Sequence, residues 1–137
     1  MLVGLVGLSL SSQANAQPEE LSPSPTCKAP AGVESVPLPE GIPPPVARGL
    51  HDEFGEINPP NGRFQEGDVG AGIDNYRYAF MWRVGNRGIV VLEYGGIVYG
   101  IAIYAYELDR DGGLILLERV AATVPKKLCS KALSAIE

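Results

Sequence analysis

The chain has 137 residues, 45% of them apolar, with Gly 17, Pro 12 and a formal net charge of −5. That length suits one ordinary domain, and collagen is excluded because no G-x-y period runs through the chain. The 11 Lys and Arg residues are scattered through an acidic chain, which argues against nucleic acid or an anionic lipid surface as partner, since both require clustered cations.

Residues 1–16, "MLVGLVGLSLSSQANA", carry an apolar run from Leu2 to Leu10 and then a polar stretch ending in Ala14-Asn15-Ala16. The run falls short of the roughly 20 residues that span a bilayer, and small-x-small is the pattern that signal peptidase accepts. No Lys or Arg precedes the run, a departure from the usual pattern. The segment is expected to be a signal peptide, with the mature chain exported to the periplasm or the cell exterior. No cysteine stands at the cleavage point, so a lipid anchor is not indicated. Export gives meaning to the 2 cysteines, Cys27 and Cys129. In an oxidising compartment an even pair is expected to form a disulfide.

Residues 17–44 form a proline-rich arm, with Pro18, Pro23, Pro25, Pro30, Pro37, Pro39, Pro43 and Pro44. Each proline removes a backbone donor and holds its predecessor in extended geometry. The arm is therefore expected to be extended or disordered, with regular structure beginning only at Pro45. Residues 45–137 are expected to form a single α+β domain.

That domain opens with a short helix. Val46, Leu50 and Phe54 recur every four residues, Pro45 suits the first helical position and Gly55 can end the last turn. Gly49 weakens the helix, by up to about 1 kcal/mol. Residues 56–75 carry Pro59-Pro60-Asn61-Gly62 and further glycines, the chemistry of a long loop. Then "YRYAFMWRV" alternates: Tyr76, Tyr78, Phe80, Trp82 and Val84 are expected on one strand face, with Arg77, Ala79, Met81 and Arg83 on the other. Gly85-Asn86-Arg87-Gly88 reads as a hairpin turn.

The next stretch, "GIVVLEYGGIVYGIAIYAYELDRDGG", is the most apolar of the mature chain. As a membrane helix it would carry Glu93 in its interior, which insertion scales penalise by about 2.5–3.5 kcal/mol. Its glycines and β-branched residues also disfavour a helix. The alternative is two strands, residues 89–94 and 97–108, joined by Gly95-Gly96, and it extends the series of strands on either side. The second of these is apolar on both faces and is expected to be covered on both. A fourth strand follows over residues 114–124. A transmembrane β-barrel is excluded by number, since the smallest have about eight strands. From Pro125 the chain reads as a helix, with Leu128, Cys129, Ala132, Leu133 and Ile136 on one arc. The expected fold is α+β, a four-stranded antiparallel meander with a short N-terminal helix and a C-terminal helix packed on one face.

Few residues carry obvious chemistry. His51 stands beside Asp52 and Glu53, residue types that serve as general bases, but neighbours on a helix point about 100° apart. A solvated helix face is the expectation, and His51, Asp52 and Glu53 are the only catalytic candidates. "DRDGG" at Asp109–Gly113 has half the ligands of a calcium loop and reads as a turn, so no metal site and no cofactor are expected. Tyr76, Tyr78, Tyr104 and Tyr106 are candidates for a recognition surface towards a protein or glycan, or else for core packing. The leading expectation is a non-enzymatic exported domain that binds a protein or cell-envelope component, without nucleic acid and without a membrane span in the mature chain. The alternatives are a small secreted hydrolase using His51 with Asp52 or Glu53, and a structural envelope protein. The sequence leaves the oligomeric state open.

Overall fold

The structure, a computed structural model, describes residues 22–64, 75–95 and 98–137. The elements in chain order are strand β1 (Glu34–Val36), helix α1 (Pro44–Phe54), strands β2 (Tyr76–Val84), β3 (Arg87–Tyr94), β4 (Gly100–Leu108) and β5 (Leu114–Thr123), a 3-10 turn (Pro125–Lys127) and helix α2 (Leu128–Ile136). The strands form one 5-stranded antiparallel sheet in the order β1-β2-β3-β4-β5. This is one strand more than the sequence suggests. The extra strand lies inside the proline-rich arm, where Glu34–Val36 is free of proline and pairs with β2, Glu34 standing opposite Arg83. Proline holds its neighbours extended, and extended backbone can join a sheet edge as readily as it can form coil.

The two helices do not share a face. Val46 and Leu50 of α1 pack on one side, with Met81, Val90, Leu92 and Tyr106. Leu128, Ala132 and Ile136 of α2 pack on the other, with Phe80, Trp82, Ile89, Val91, Ile101 and Ile103. The correction has a simple cause. Strands β2 to β4 are apolar on both faces, so each face must be removed from water, and each helix supplies one cover.

Strand β2 departs from strict alternation. Tyr78 pairs with Leu92 and Phe80 with Val91, which leaves Ala79 as the extra residue of a β-bulge. A bulge resets the two-residue period. Tyr76 and Tyr78 therefore lie on the α1 face, whereas Phe80, Trp82 and Val84 lie on the α2 face. The five side chains expected together are divided between the layers.

The connections follow the turn chemistry unevenly. Val84 pairs with Arg87 around a two-residue turn, Gly85 taking a φ of 60 that favours glycine. Between β3 and β4, Tyr94 pairs with Gly100, so the link spans residues 95–99 and not Gly95-Gly96 alone. Gly96 and Ile97 lie outside the described residues. The Asp109–Gly113 segment is a turn: Asp109 Oδ1 accepts from the backbone N–H of Asp111 and of Gly113, both at 2.8 Å. Among the described residues no helix is long and apolar enough to cross a membrane.

The expected disulfide is present. Cys27 and Cys129 are bonded, 102 residues apart in sequence, with Cα atoms 5.5 Å apart. It ties the arm to the first turn of α2. Cys129 is exposed, as is Leu133, because the buried line of α2 runs Leu128, Ala132, Ile136 and both residues stand to the side of it. The exposed flank, not the buried stripe, is where the arm passes.

Candidate functional site

On the α1 face, beyond the C-terminal end of that helix, lies a cleft of about 240 Å³ lined by Phe54, Tyr76, Leu92, Tyr94, Ala102, Tyr104 and Arg119. Small residues in register create it. Leu92 pairs with Ala102, which pairs with Ala122, and Tyr94 of the neighbouring row pairs with Gly100. Methyl groups and hydrogens stand where bulky side chains would fill the layer, and α1 ends before it can cover the gap.

Aromatic rings form the walls. Phe54 lies 4.9 Å from Tyr76 and meets Tyr104 edge-on at 5.7 Å, centroid to centroid. Tyr94 leans over Gly100, where an added Cβ would strike its phenol. Two charges of opposite sign flank Tyr104. Its hydroxyl donates to Glu53 Oε2 at 3.3 Å, and Arg119 is its direct cross-strand partner on β5. The Arg119 side chain makes no hydrogen bond or ion pair with a described residue. Burial, and then the charge and hydrogen bond of Glu53, push the Tyr104 phenol above its usual 10.0, while Arg119 works the other way.

The sequence candidates are dispersed. Tyr76 and Tyr104 both line the cleft, although Tyr104 is only 5% exposed and its ring belongs largely to the core, whereas Tyr78 and Tyr106 are core residues away from it, 3% and 2% exposed. Burial raises the pKa of both phenols. Glu53 reaches the rim of the cleft through Tyr104, whereas the side chains of His51 and Asp52 are exposed on α1 and make no hydrogen bond or ion pair with a described residue. Of the three, only Glu53 is joined to the cleft by a hydrogen bond. Among the described residues no group of three or more His, Cys, Asp or Glu could hold a metal ion. Most of the glycine-rich part of the 56–75 loop, residues 65–74, lies outside the described residues.

Sequence reasoning missed Phe54 as a wall, together with Tyr94 and Arg119. A signal existed in Gly100 and Ala102, small residues at alternate positions of an otherwise bulky strand. It also missed a buried ion pair on the α2 face. Arg77 Nε donates to Glu93 Oε2 at 2.7 Å and Nη2 to Oε1 at 3.0 Å, with both residues essentially inaccessible. Arg77 Nη1 also donates to the carbonyls of Ser22 (2.7 Å) and Gly62 (2.8 Å), its guanidinium lies 4.7 Å from the Phe64 ring centre, and Tyr99 donates to Glu93 at 3.1 Å. With its donors satisfied this way, the pair fastens the arm and the 56–64 segment to the sheet.

Comparison with protein-family models, with curated proteins and with solved structures finds no match for the chain. The functional reading therefore rests on local geometry. Two other surfaces compete with the cleft. One is the hollow between α2 and β5, about 410 Å³, lined by Val120, Ala121, Lys131, Ser134 and Ala135. It has no aromatic wall. The other is the outer edge of β5, where Leu114, Ile115, Leu116 and Val120 are exposed. Ile115 and Val120 sit at breaks in the ladder with β4. Bulges of this kind blunt an edge against further pairing.

Proposed function

We propose that the protein is an exported, non-enzymatic binding domain that holds a cell-envelope component in the cleft at the end of α1. One observation carries this reading: aromatic side chains surround a hollow that the fold leaves unfilled, with Arg119 at its rim, its side chain bonded to none of the described residues. Binding sites combine such apolar walls with a few placed polar groups. Export is supported by the leader-like residues 1–16 and by the disulfide, which persists in oxidising compartments.

The hydrolase reading has less support, because the exposed His51 side chain makes no hydrogen bond to Glu53, which is instead engaged by the Tyr104 hydroxyl. The test is retention of the mature chain by an isolated envelope fraction, compared with Ala102→Leu, which fills the floor of the cleft. Retention is expected to drop with the substitution while the melting temperature stays within a few degrees. Equal retention by the folded variant would remove the cleft from the function.

A further inference from the structure

The charges at the rim say more about the ligand than the aromatic walls do. Glu53 offers an acceptor and Arg119 offers donors, on either side of the Tyr104 hydroxyl. No ion pair joins them. A carboxylate ligand would gain from Arg119 but meet Glu53, and a quaternary ammonium would gain from Glu53 and the ring faces but meet Arg119. A neutral ring bearing several hydroxyl groups satisfies both, donating to the carboxylate and accepting from the guanidinium. Its C–H faces would stack on the aromatic walls. At about 240 Å³ the cleft is smaller than the roughly 300–1,000 Å³ of pockets that enclose drug-sized ligands, so it matches one ring and not a chain of them.

Resting on the cleft reading above, we infer that the ligand is a neutral sugar, a single pyranose ring held between Tyr76 and Tyr104 and hydrogen-bonded by Glu53 and Arg119. A terminal residue of an envelope glycan has this chemistry. Tyr104 plays a positioning part, since its hydroxyl holds the Glu53 carboxylate at the rim.

The experiment is a nitrogen-15 NMR titration of the disulfide-bonded mature chain with glucose, galactose, mannose and N-acetylglucosamine, with choline and benzoate as charged comparators. The expected result is saturable shifts with at least one neutral sugar, centred on Tyr76, Tyr94, Ala102 and Tyr104, and none with the comparators. Arg119→Ala, an exposed substitution that leaves the core intact, is expected to weaken that binding about tenfold, the usual loss for a hydrogen bond to a charged donor. Tighter binding of choline or benzoate than of any sugar would overturn the assignment, as would sugar binding that Arg119→Ala and Glu53→Gln leave unchanged. If no sugar shifts the cleft but envelope retention still depends on Ala102, the sugar assignment falls and the binding function stands. If retention ignores Ala102→Leu, the envelope function falls, and the sugar titration is judged on its own shifts.

Discussion

Arg77 and Glu93 stand directly opposite each other across the β2–β3 ladder and form a bidentate ion pair shut off from water. Two charges taken out of water are tolerable only when each satisfies the other and the remaining donors find partners. Here the carbonyls of Ser22 and Gly62 complete the arginine, and Tyr99 supports the glutamate.

Breaking this pair from one side should be severe. Glu93→Gln keeps the shape but leaves the guanidinium buried without its counter-charge, and the expected loss is about 3–5 kcal/mol. Urea unfolding followed by tryptophan fluorescence measures it. A loss below about 1 kcal/mol would mean that water reaches the site.

The disulfide should matter nearly as much. Closing a loop of about 100 residues restricts the unfolded chain by up to ~4.7 kcal/mol in the chain-entropy model, and removing a native bond typically costs about 2–5 kcal/mol. Cys27→Ser with Cys129→Ser is expected to lower stability within that range. Before reduction, alkylation of the wild-type chain should label no thiol.

Alkaline pH should destabilise the protein through its buried phenols. Burial holds the phenols of Tyr78, Tyr104 and Tyr106 above their ordinary value of 10.0 in the folded state. Below pH 10 both folded and unfolded states keep these protons, so stability is unaffected. Above it the unfolded chain releases protons that the folded state retains, and stability falls as pH rises, by at most about 1.4 kcal/mol per pH unit per group. Denaturation midpoints measured between pH 8 and 11 should decline only beyond pH 10, and Tyr104→Phe should flatten that decline. An unchanged slope in the variant would show that Tyr104 ionises freely.

Gly88 and Tyr106 offer a contrast in the core. A Cβ at Gly88 would strike the Trp82 carbonyl and lie 2.7 Å from the Tyr106 ring, so Gly88→Ala is expected to cost about 1–3 kcal/mol by overpacking. The Tyr106 hydroxyl is buried and finds no hydrogen-bond partner among the described residues. Tyr106→Phe removes an unpaired polar group and should leave stability equal or slightly higher. Thermal melts of the two variants check both, and a marked loss in Tyr106→Phe would reveal a partner for that hydroxyl.

What the sequence determined by itself is local. Alternation marked β2 as a strand, apolar runs broken by glycine turns marked β3 and β4 and their continuation marked β5, four-residue spacing put Val46 and Leu50 on one helix face, and Gly85-Asn86-Arg87-Gly88 marked a hairpin turn. The even pair of cysteines, read together with the leader-like residues 1–16, foretold the disulfide. Only the tertiary structure decided which side of the sheet each residue faces, because one bulge at Ala79 moves Phe80 and Trp82 to the opposite layer from Tyr76 and Tyr78. It also decided that the arm contributes β1, that the helices cover opposite faces, and that Arg77 meets Glu93. The cleft arises in the same way, from Gly100, Ala102 and Ala122 coming into register beyond the end of α1. Periodicity belongs to a few neighbouring bonds, whereas register and layer order depend on residues far apart in the chain being packed against one another.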